Sequence, residues 1–551
     1  VINKKMALMF LLLGSLMAVS LARPSIYNVL DYGARGDDKT NNTQAINAAI
    51  EAAAKNGGGT VYFPAGSFLS YTIHLRSNIT LHLDQGAVLI GDIEVNGVGY
   101  DLPEENAWYK KFQDFGHSYW RNSLIYGDSL QNIAITGQGL IWGRGLYTYD
   151  KPEIKGSGNK AISLKNCHNV TIKDISIFHG GHFCILATGV DNMTIDNVRA
   201  DADRDAFDID CCRNVTISNC FINSPTDDGL CLKSSFGLGY ARVTENITIT
   251  NCQIYGYDQG TLLDGTFKTT FKDEQPGAGH CITGRLKLGT ESNGGFRNIA
   301  ISNCVFERSR GVCIETADGG AIEDITLSNI TMRDVPDTPF FIRLNARLRG
   351  PEGTPVGVCR RITISHFNAY DVGGRTKFPE LGAAMVMGIP GHSIEDLTLN
   401  NIRIVFRAGA TKQTIDREVP EHVDMYPDPY RWSSMPSYGM YFRHVKGLKV
   451  NEVVLRYMNR DERPAFVLED VHDAEFNHID AQQGDQAPQF ILKNVSGFSA
   501  FRVRGVKDVT LSNVKEKKLE TPGKVVFLKT SGRWGKAFTG VFSWPCPEVS
   551  G

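Results

Sequence analysis

A four-residue phrase, Asn-Val-Thr-Ile or a near relative, returns along this chain and restricts what it can fold into. It begins at Asn169, Asn192, Asn214, Asn246, Asn298, Asp324, Arg361 and Asp396. The first intervals are 23 and 22 residues, the period of a solenoid that adds one coil per repeat. In such a coil, equivalent positions stack along the axis at a strand spacing of about 4.8 Å. Six residues past each start lie Ile175, Val198, Cys220, Cys252, Cys304, Ile330, Phe367 and Ile402, an apolar column that points inward. One residue earlier lie Asp174, Asn197, Asn219, Asn251, Asn303, Asn329, His366 and Asn401. Side chains of that kind bond to one another and accept left-handed backbone angles, which suits a corner. Alternation inside the phrase has period two and favours β-branched residues, so each copy is a short strand. The Leu-x-x-Leu-x-Leu frame of leucine-rich repeats is absent. The pattern predicts an all-β chain folded as a right-handed parallel β-helix.

The segment before the coils predicts a cap. A helix from Asn42 carries Ala45, Ile46, Ala49, Ile50 and Ala53 on one stripe, Gly57-Gly58-Gly59 stops it, and Thr60-Val61-Tyr62-Phe63 begins the first strand. An open solenoid end would expose core and strand edges. Insertions are expected near 102–122, 257–284 and 407–438. The first and last are rich in rings: Trp108, Tyr109, Tyr119 and Trp120, then Tyr426, Tyr430, Trp432 and Tyr438. Such rings pin long loops to the solenoid or stack on sugars at a cleft rim. From about 445 to 520 the phrase weakens, and degenerate terminal coils are expected. A solenoid grows by adding coils, so residues 23–551 are taken as one domain, with the cap at about 23–60.

Net charge is −2, from 58 basic and 60 acidic residues, and no basic block points to nucleic acid. Residues 1–22 have the form of a signal peptide: Lys4 and Lys5, an apolar run from Met6 to Leu21, and small residues before a cut after Ala22. The expectation is an exported protein, periplasmic or secreted, monomeric and free of the membrane once cleaved. Twelve cysteines invite disulfides. Cys220, Cys252 and Cys304 instead occupy the inward column as small hydrophobes, so few or no disulfides are expected. No Cys/His spacing suggests zinc, and neither a cofactor nor a metal is expected.

One fixed distance past the first three phrases lie His182, Asp205 and Asp227, with Asp228 beside the last. Stacked carboxylates repel and suggest a site rather than a scaffold feature. Clustered like charges raise at least one pKa and place a protonated acid beside an ionised base, the pair that glycosidic hydrolysis needs. Acidic residues at coil corners also cap turns or bind calcium, which suits Asp203, Asp208 and Asp210 better than the trio.

Most of the chain after residue 22 resembles glycoside hydrolase family 28, the polygalacturonases and rhamnogalacturonan hydrolases of the pectate-lyase-like superfamily. The likeness rests on Val29-Leu-Asp-Tyr-Gly-Ala-Arg-Gly-Asp-Asp, on Gly58-Gly-Thr-Val-Tyr-Phe-Pro-Ala-Gly and on the coils from about Asn122 to Arg333. The family's Asn-Thr-Asp motif falls on Asp203-Arg204-Asp205, keeping the last acid. Its Asp-Asp motif is intact at Asp227-Asp228, and Lys233 downstream also fits the pattern. The resemblance implies that Asp227 is the general acid and that Asp205 and Asp228 activate water in an inverting displacement. The Gly-His-Gly motif aligns with Thr283-Gly284-Arg285, ahead of Gly289-Thr290-Glu291, with His280 out of register. The Arg-Ile-Lys motif aligns with Cys313-Ile314-Glu315. Both cations that hold a uronate in polygalacturonases are therefore replaced. Arg285 and Lys287 are expected on one outward face, about two coils beyond Asp227, where they and Glu291 are candidates for binding substrate. Arg204, Lys233 and His182 are candidates too.

Three functions remain open. The first is hydrolysis of a plant-wall pectic polysaccharide or its oligosaccharides, with galacturonate–rhamnose bonds preferred over polygalacturonan because rhamnose is neutral. The second is a lyase with a calcium ion at the acids and Arg285 or Lys287 as base. The third is a catalytically inactive carbohydrate-binding β-helix.

Overall fold

The computed structural model describes residues 25–108, 116–149, 151, 158–270, 282–374, 382–485 and 487–519. The segment 1–22, Tyr109 and His280 lie outside the described residues. The fold is a right-handed parallel β-helix. Each early coil carries three strands, for example Phe183–Thr188, Asp191–Asp196 and Arg199–Asp201. Each strand pairs in register with its equivalent one coil on, as in Val170↔Met193↔Val215↔Ile247. The inward column predicted from the phrase is buried from Ile175 to Ile402. The corner column has positive φ throughout, from Asp174 (66°) to Asn401 (53°).

The phrase asparagines form a second ladder outside the core. Asn192, at φ 56°, donates to Asn169 at 3.2 Å and accepts from Asn214 at 3.1 Å. Asn192→Ala is expected to lower stability by about 1–2 kcal/mol, because it loses two ladder bonds and must hold a left-handed angle. Asn192→Gly should lose only the bonds, and a comparison of denaturation midpoints separates the two terms.

The cap helix spans Thr43–Lys55 and buries Ile46, Ala49, Ile50 and Ala53. Asn42 stands at its N-cap without a side-chain capping bond. Its Oδ1 instead accepts from the Arg35 amide at 2.7 Å and fixes the turn before it. At the other end Met440–Tyr457, Phe466–Ala481 and Phe490–Val503 pair in parallel register from coil to coil. Their core is built from phenylalanines, with Phe466 stacked on Phe490 at 5.0 Å between centroids, so the phrase is lost while the apolar column persists. Val509–Leu519 closes the last coil by running antiparallel to it.

Cys220, Cys252 and Cys304 lie buried in the inward column, and the ten described cysteines are free thiols. Among the described residues no helix is long and apolar enough to cross a membrane.

Candidate active site

The first strand of each middle coil differs from its neighbours in being buried on both faces. Asp205–Asp210, Leu230–Ser234 and Leu286–Ser292 have no exposed residue, whereas Arg213–Ser218 alternates. Inward residues such as Phe207 and Ile209 fill the core, and the insertions cover the outward ones. Beneath that cover the chain places its acids and cations.

The stacking differs by one residue from the fixed-distance expectation. Phe183, not His182, pairs with Asp205. The Ala206 amide donates to the Asp228 carbonyl at 3.2 Å, which sets Asp205 beside Asp228. The bend at residues 202–204 is one residue shorter than the bends at 179–182 and 224–227, so the register slips there. His182, Arg204 and Asp227 therefore share one column, and Asp205 and Asp228 the next. The trio still assembles: one carboxylate oxygen from each of Asp205, Asp227 and Asp228 lies within 4.8 Å of the others.

Arg285 and Lys287 are also placed differently from expectation. The loop at 257–284 contributes no strand among its described residues, so Leu286 pairs with Leu230, one coil beyond the trio rather than two. Nor are these side chains exposed. Arg285 donates to Asp228 and, at 3.2 Å, to Asp428. The Lys287 ammonium lies 3.6 Å from both Asp228 and Glu315 and donates to the Tyr426 hydroxyl at 2.9 Å. Burial would raise the Asp228 pKa, but Arg285, Lys287 and Lys233 overcome it and hold the carboxyl at about 2. The cations missing from Cys313-Ile314-Glu315 thus stand one coil earlier, neutralised by acids.

A second network lies beside it. Lys233 donates to Glu291 at 3.0 Å, Arg347 reaches Glu291 at 3.3 Å, and Arg347 also bonds Asp318. Burial works against the Glu291 charge, yet Lys233 and Arg347 keep its carboxyl well below the usual range. Arg204 lies over the Phe183 ring and donates from Nε to Asp227 at 3.1 Å. Its other arm meets His182 Nε2, while His182 Nδ1 meets the Thr148 carbonyl at 2.6 Å. A carbonyl only accepts and a guanidinium only donates, so these two contacts match the tautomer that carries its proton on Nδ1.

These groups enclose a cavity of about 150 Å³ lined by His117, Arg204, Asp205, Asp227, Asp228, Lys233, Glu291 and Tyr426. That is well below the ~300–1,000 Å³ usual for ligand pockets. Along the axis it is walled on both sides. On the N-terminal side Gly116 and Gly158 press on His182. A Cβ on Gly116 would fall 2.6 Å from Nε2, and one on Gly158 2.8 Å from Nδ1. On the C-terminal side the insertion at 407–438 lays Tyr426 and Asp428 across the strands. Arg343 anchors it by donating to the Glu421 carbonyl at 2.7 Å, and Trp432 packs into an apolar cluster on Phe341, Met385 and Tyr441.

Of the residues singled out from sequence, Arg204, Asp205, Asp227, Asp228, Lys233 and Glu291 line the cavity. Arg285, Lys287 and His182 stand behind it. His117 and Asp428 escaped the sequence reading, because insertions carry no repeat register to align them. Tyr426 was visible only as one ring among several.

Residues 26–304 match the family model described as rhamnogalacturonase A/epimerase, pectate lyase-like. The chain belongs to that family. Residues 206–422 also match the model of glycosyl hydrolases family 28, which spans Asp227, Asp228 and the strands behind them, and the protein is a glycosidase. The chain is 25% identical to a probable polygalacturonase of Vitis vinifera over 447 residues, 75% of this chain and 81% of that protein. In fold it resembles the family 28 exopolygalacturonase of Yersinia enterocolitica, at TM-score 0.58 and 17% identity over 84% of this chain and 79% of that one. It also resembles the exopolygalacturonase of Thermotoga maritima, at TM-score 0.52 and 20% identity, covering 69% and 87% of the two chains.

Proposed function

We propose that this chain is an exported hydrolase that removes a terminal sugar from a galacturonate-containing pectic polysaccharide. What carries the reading is the carboxylate trio at the floor of a one-sugar cavity closed at both ends along the coil axis. A polymer cannot run through such a cavity, so only a chain end enters. Asp205, Asp227 and Asp228 act on the bond, while Arg204, Lys233 and Glu291 face the bound ring. Arg285, Lys287 and His182 position these groups from behind rather than touching substrate.

The bond cleaved has a neutral sugar on one side, the rhamnogalacturonan type rather than polygalacturonan. The charge pairing supports this: Arg285 and Lys287 are already opposed by Asp228, Asp428 and Glu315, so they offer no open clamp for a second uronate. Counting reducing ends released from polygalacturonan and from debranched rhamnogalacturonan tests this. A clear excess from rhamnogalacturonan is expected, and an excess from polygalacturonan would reject the neutral-sugar assignment.

Hydrolysis is favoured over a calcium-assisted lyase because cations of the protein already occupy Asp228 and Asp227, where a calcium ion would need free oxygens. For stereochemistry we propose inversion. The carboxylates are closer than the ~6.5–9.5 Å usual for an inverting pair, but the Asp228 oxygens, clamped by two cations, are poor nucleophiles. Proton NMR of the first product should show the inverted anomer, and a retained anomer would make one of the acids a nucleophile.

A further inference from the structure

We propose that Asp428 determines specificity: its carboxylate stands where the carboxylate of a second uronate would bind, and so shuts polygalacturonan out. This deepens the neutral-sugar reading above and rests on it.

Arg285 and Arg310 stand on consecutive coils, just before the paired residues Leu286 and Val312. Both are buried, and so is Asp428, which comes down on them from the insertion at 407–438. Its Oδ2 accepts from Arg285 at 3.2 Å, and its Oδ1 lies 3.7 Å from Arg310. The Arg285 guanidinium also lies 3.6 Å from the Cys313 thiol. A cation therefore reaches the position where the Arg-Ile-Lys motif aligns but its arginine is missing. Two guanidinium groups converging on one carboxylate are what a uronate site requires. Here the carboxylate belongs to the chain.

Asp428 is not needed to balance these cations. On the strands, Arg285, Lys287 and Arg310 already face Asp228, Glu315 and Asp337. The charge of Asp428 is an addition to that balance. Burial pushes the Asp337 carboxyl up to about 6, with Arg310 opposing the rise and Asp428 adding to it. Nor is Asp428 needed to hold the insertion down, because Arg343 and the Trp432 cluster do so. Its one local task is to accept from the Tyr430 amide at 3.3 Å, at the start of the 3₁₀ turn Pro429–Trp432.

Its place gives the carboxylate a function. Tyr426, two residues earlier, lines the cavity. Arg285 bonds Asp228 on the cavity side and Asp428 on the far side. A second sugar directed toward the C-terminal coils meets a clamp that is already filled. A neutral ring loses nothing there, whereas a uronate meets a like charge and finds no donor.

The first test needs no turnover. Formate has the size of the carboxylate that Asp428→Ala removes. Formate should raise the melting temperature of that variant more than that of the wild type, and chloride at equal ionic strength should not. An equal response of both proteins overturns the filled clamp. The second test is the ratio of kcat/KM on polygalacturonan to that on debranched rhamnogalacturonan. Asp428→Ala should raise the ratio about 10–100-fold, the worth of one charged hydrogen bond, and chiefly through KM. An unchanged ratio overturns the exclusion. Should Asp428→Ala fail to fold, Asp428→Asn is the second variant, since it keeps the volume and the bond from Tyr430 and removes only the charge. Its ratio should rise by less, and an unchanged ratio again overturns the exclusion. A wild type that prefers polygalacturonan rejects the neutral-sugar reading and the exclusion with it, whereas failure of the formate comparison alone rejects only the filled clamp.

Discussion

Asp227→Asn is expected to cut turnover by about 10²–10⁴-fold, the range for losing a positioned acid or base, with little change in thermal stability. Asp227 is one-third exposed and bonded by one cation, Arg204, and the oxygen of the new amide still accepts from that guanidinium, so the contact survives without the charge. Arg204 keeps His182 as its partner. Steady-state kinetics beside a melting curve check both halves. A variant with wild-type turnover would show that the trio is not the reacting centre and would revive the binding-protein reading. A variant that loses activity only because it melts early would assign Asp227 to the fold.

Glu291→Gln should have the largest effect on stability. Glu291 is 4% exposed and bonds Lys233 and Arg347, themselves buried. Removing one partner of a buried pair leaves the other charge uncompensated, at a cost of about 3–5 kcal/mol. Replacing both, as in Glu291→Gln with Lys233→Met, should recover part of that loss, because the stranded ammonium is gone. The effect carries a pH signature. The folded-state pKa of Glu291 is depressed, so its stabilising contribution is complete above the unfolded value near 4.5. It fades as pH falls below that value toward the folded one. The gap between wild type and variant in denaturant midpoint should therefore be widest near neutrality and narrow in acid. A gap independent of pH would mean that packing, not charge, is what Glu291 supplies.

The coil architecture was legible because one phrase fixes two columns at once. Ile175 to Ile402 must face in, and Asp174 to Asn401 must turn the corner, so the period and the side-chain direction agree. The site was less legible for a geometric reason. Its acids sit just past bends, and bends gain or lose single residues without disturbing the strands they join. The short bend at 202–204 moved His182 out of the Asp205 column, a slip invisible to any fixed offset. The loop at 257–284 likewise hid that Arg285 and Lys287 lie one coil from the trio. Pairing across long range was harder still. Nothing near Asp428 in sequence announces that it meets Arg285, 143 residues away, nor that Tyr426 meets Lys287. Those contacts turned two expected surface cations into buried supports of Asp228.

Entry of a chain end into a closed cavity, followed by attack of water, can be read from the size and chemistry of the first product from debranched rhamnogalacturonan, monitored by chromatography with ultraviolet detection. A single sugar should accumulate from the earliest time point while the polymer shortens slowly, with no absorbance from an unsaturated ring and no effect of a chelator. A ladder of oligosaccharides at early times would contradict the closed cavity. An unsaturated, chelator-sensitive product would contradict hydrolysis itself.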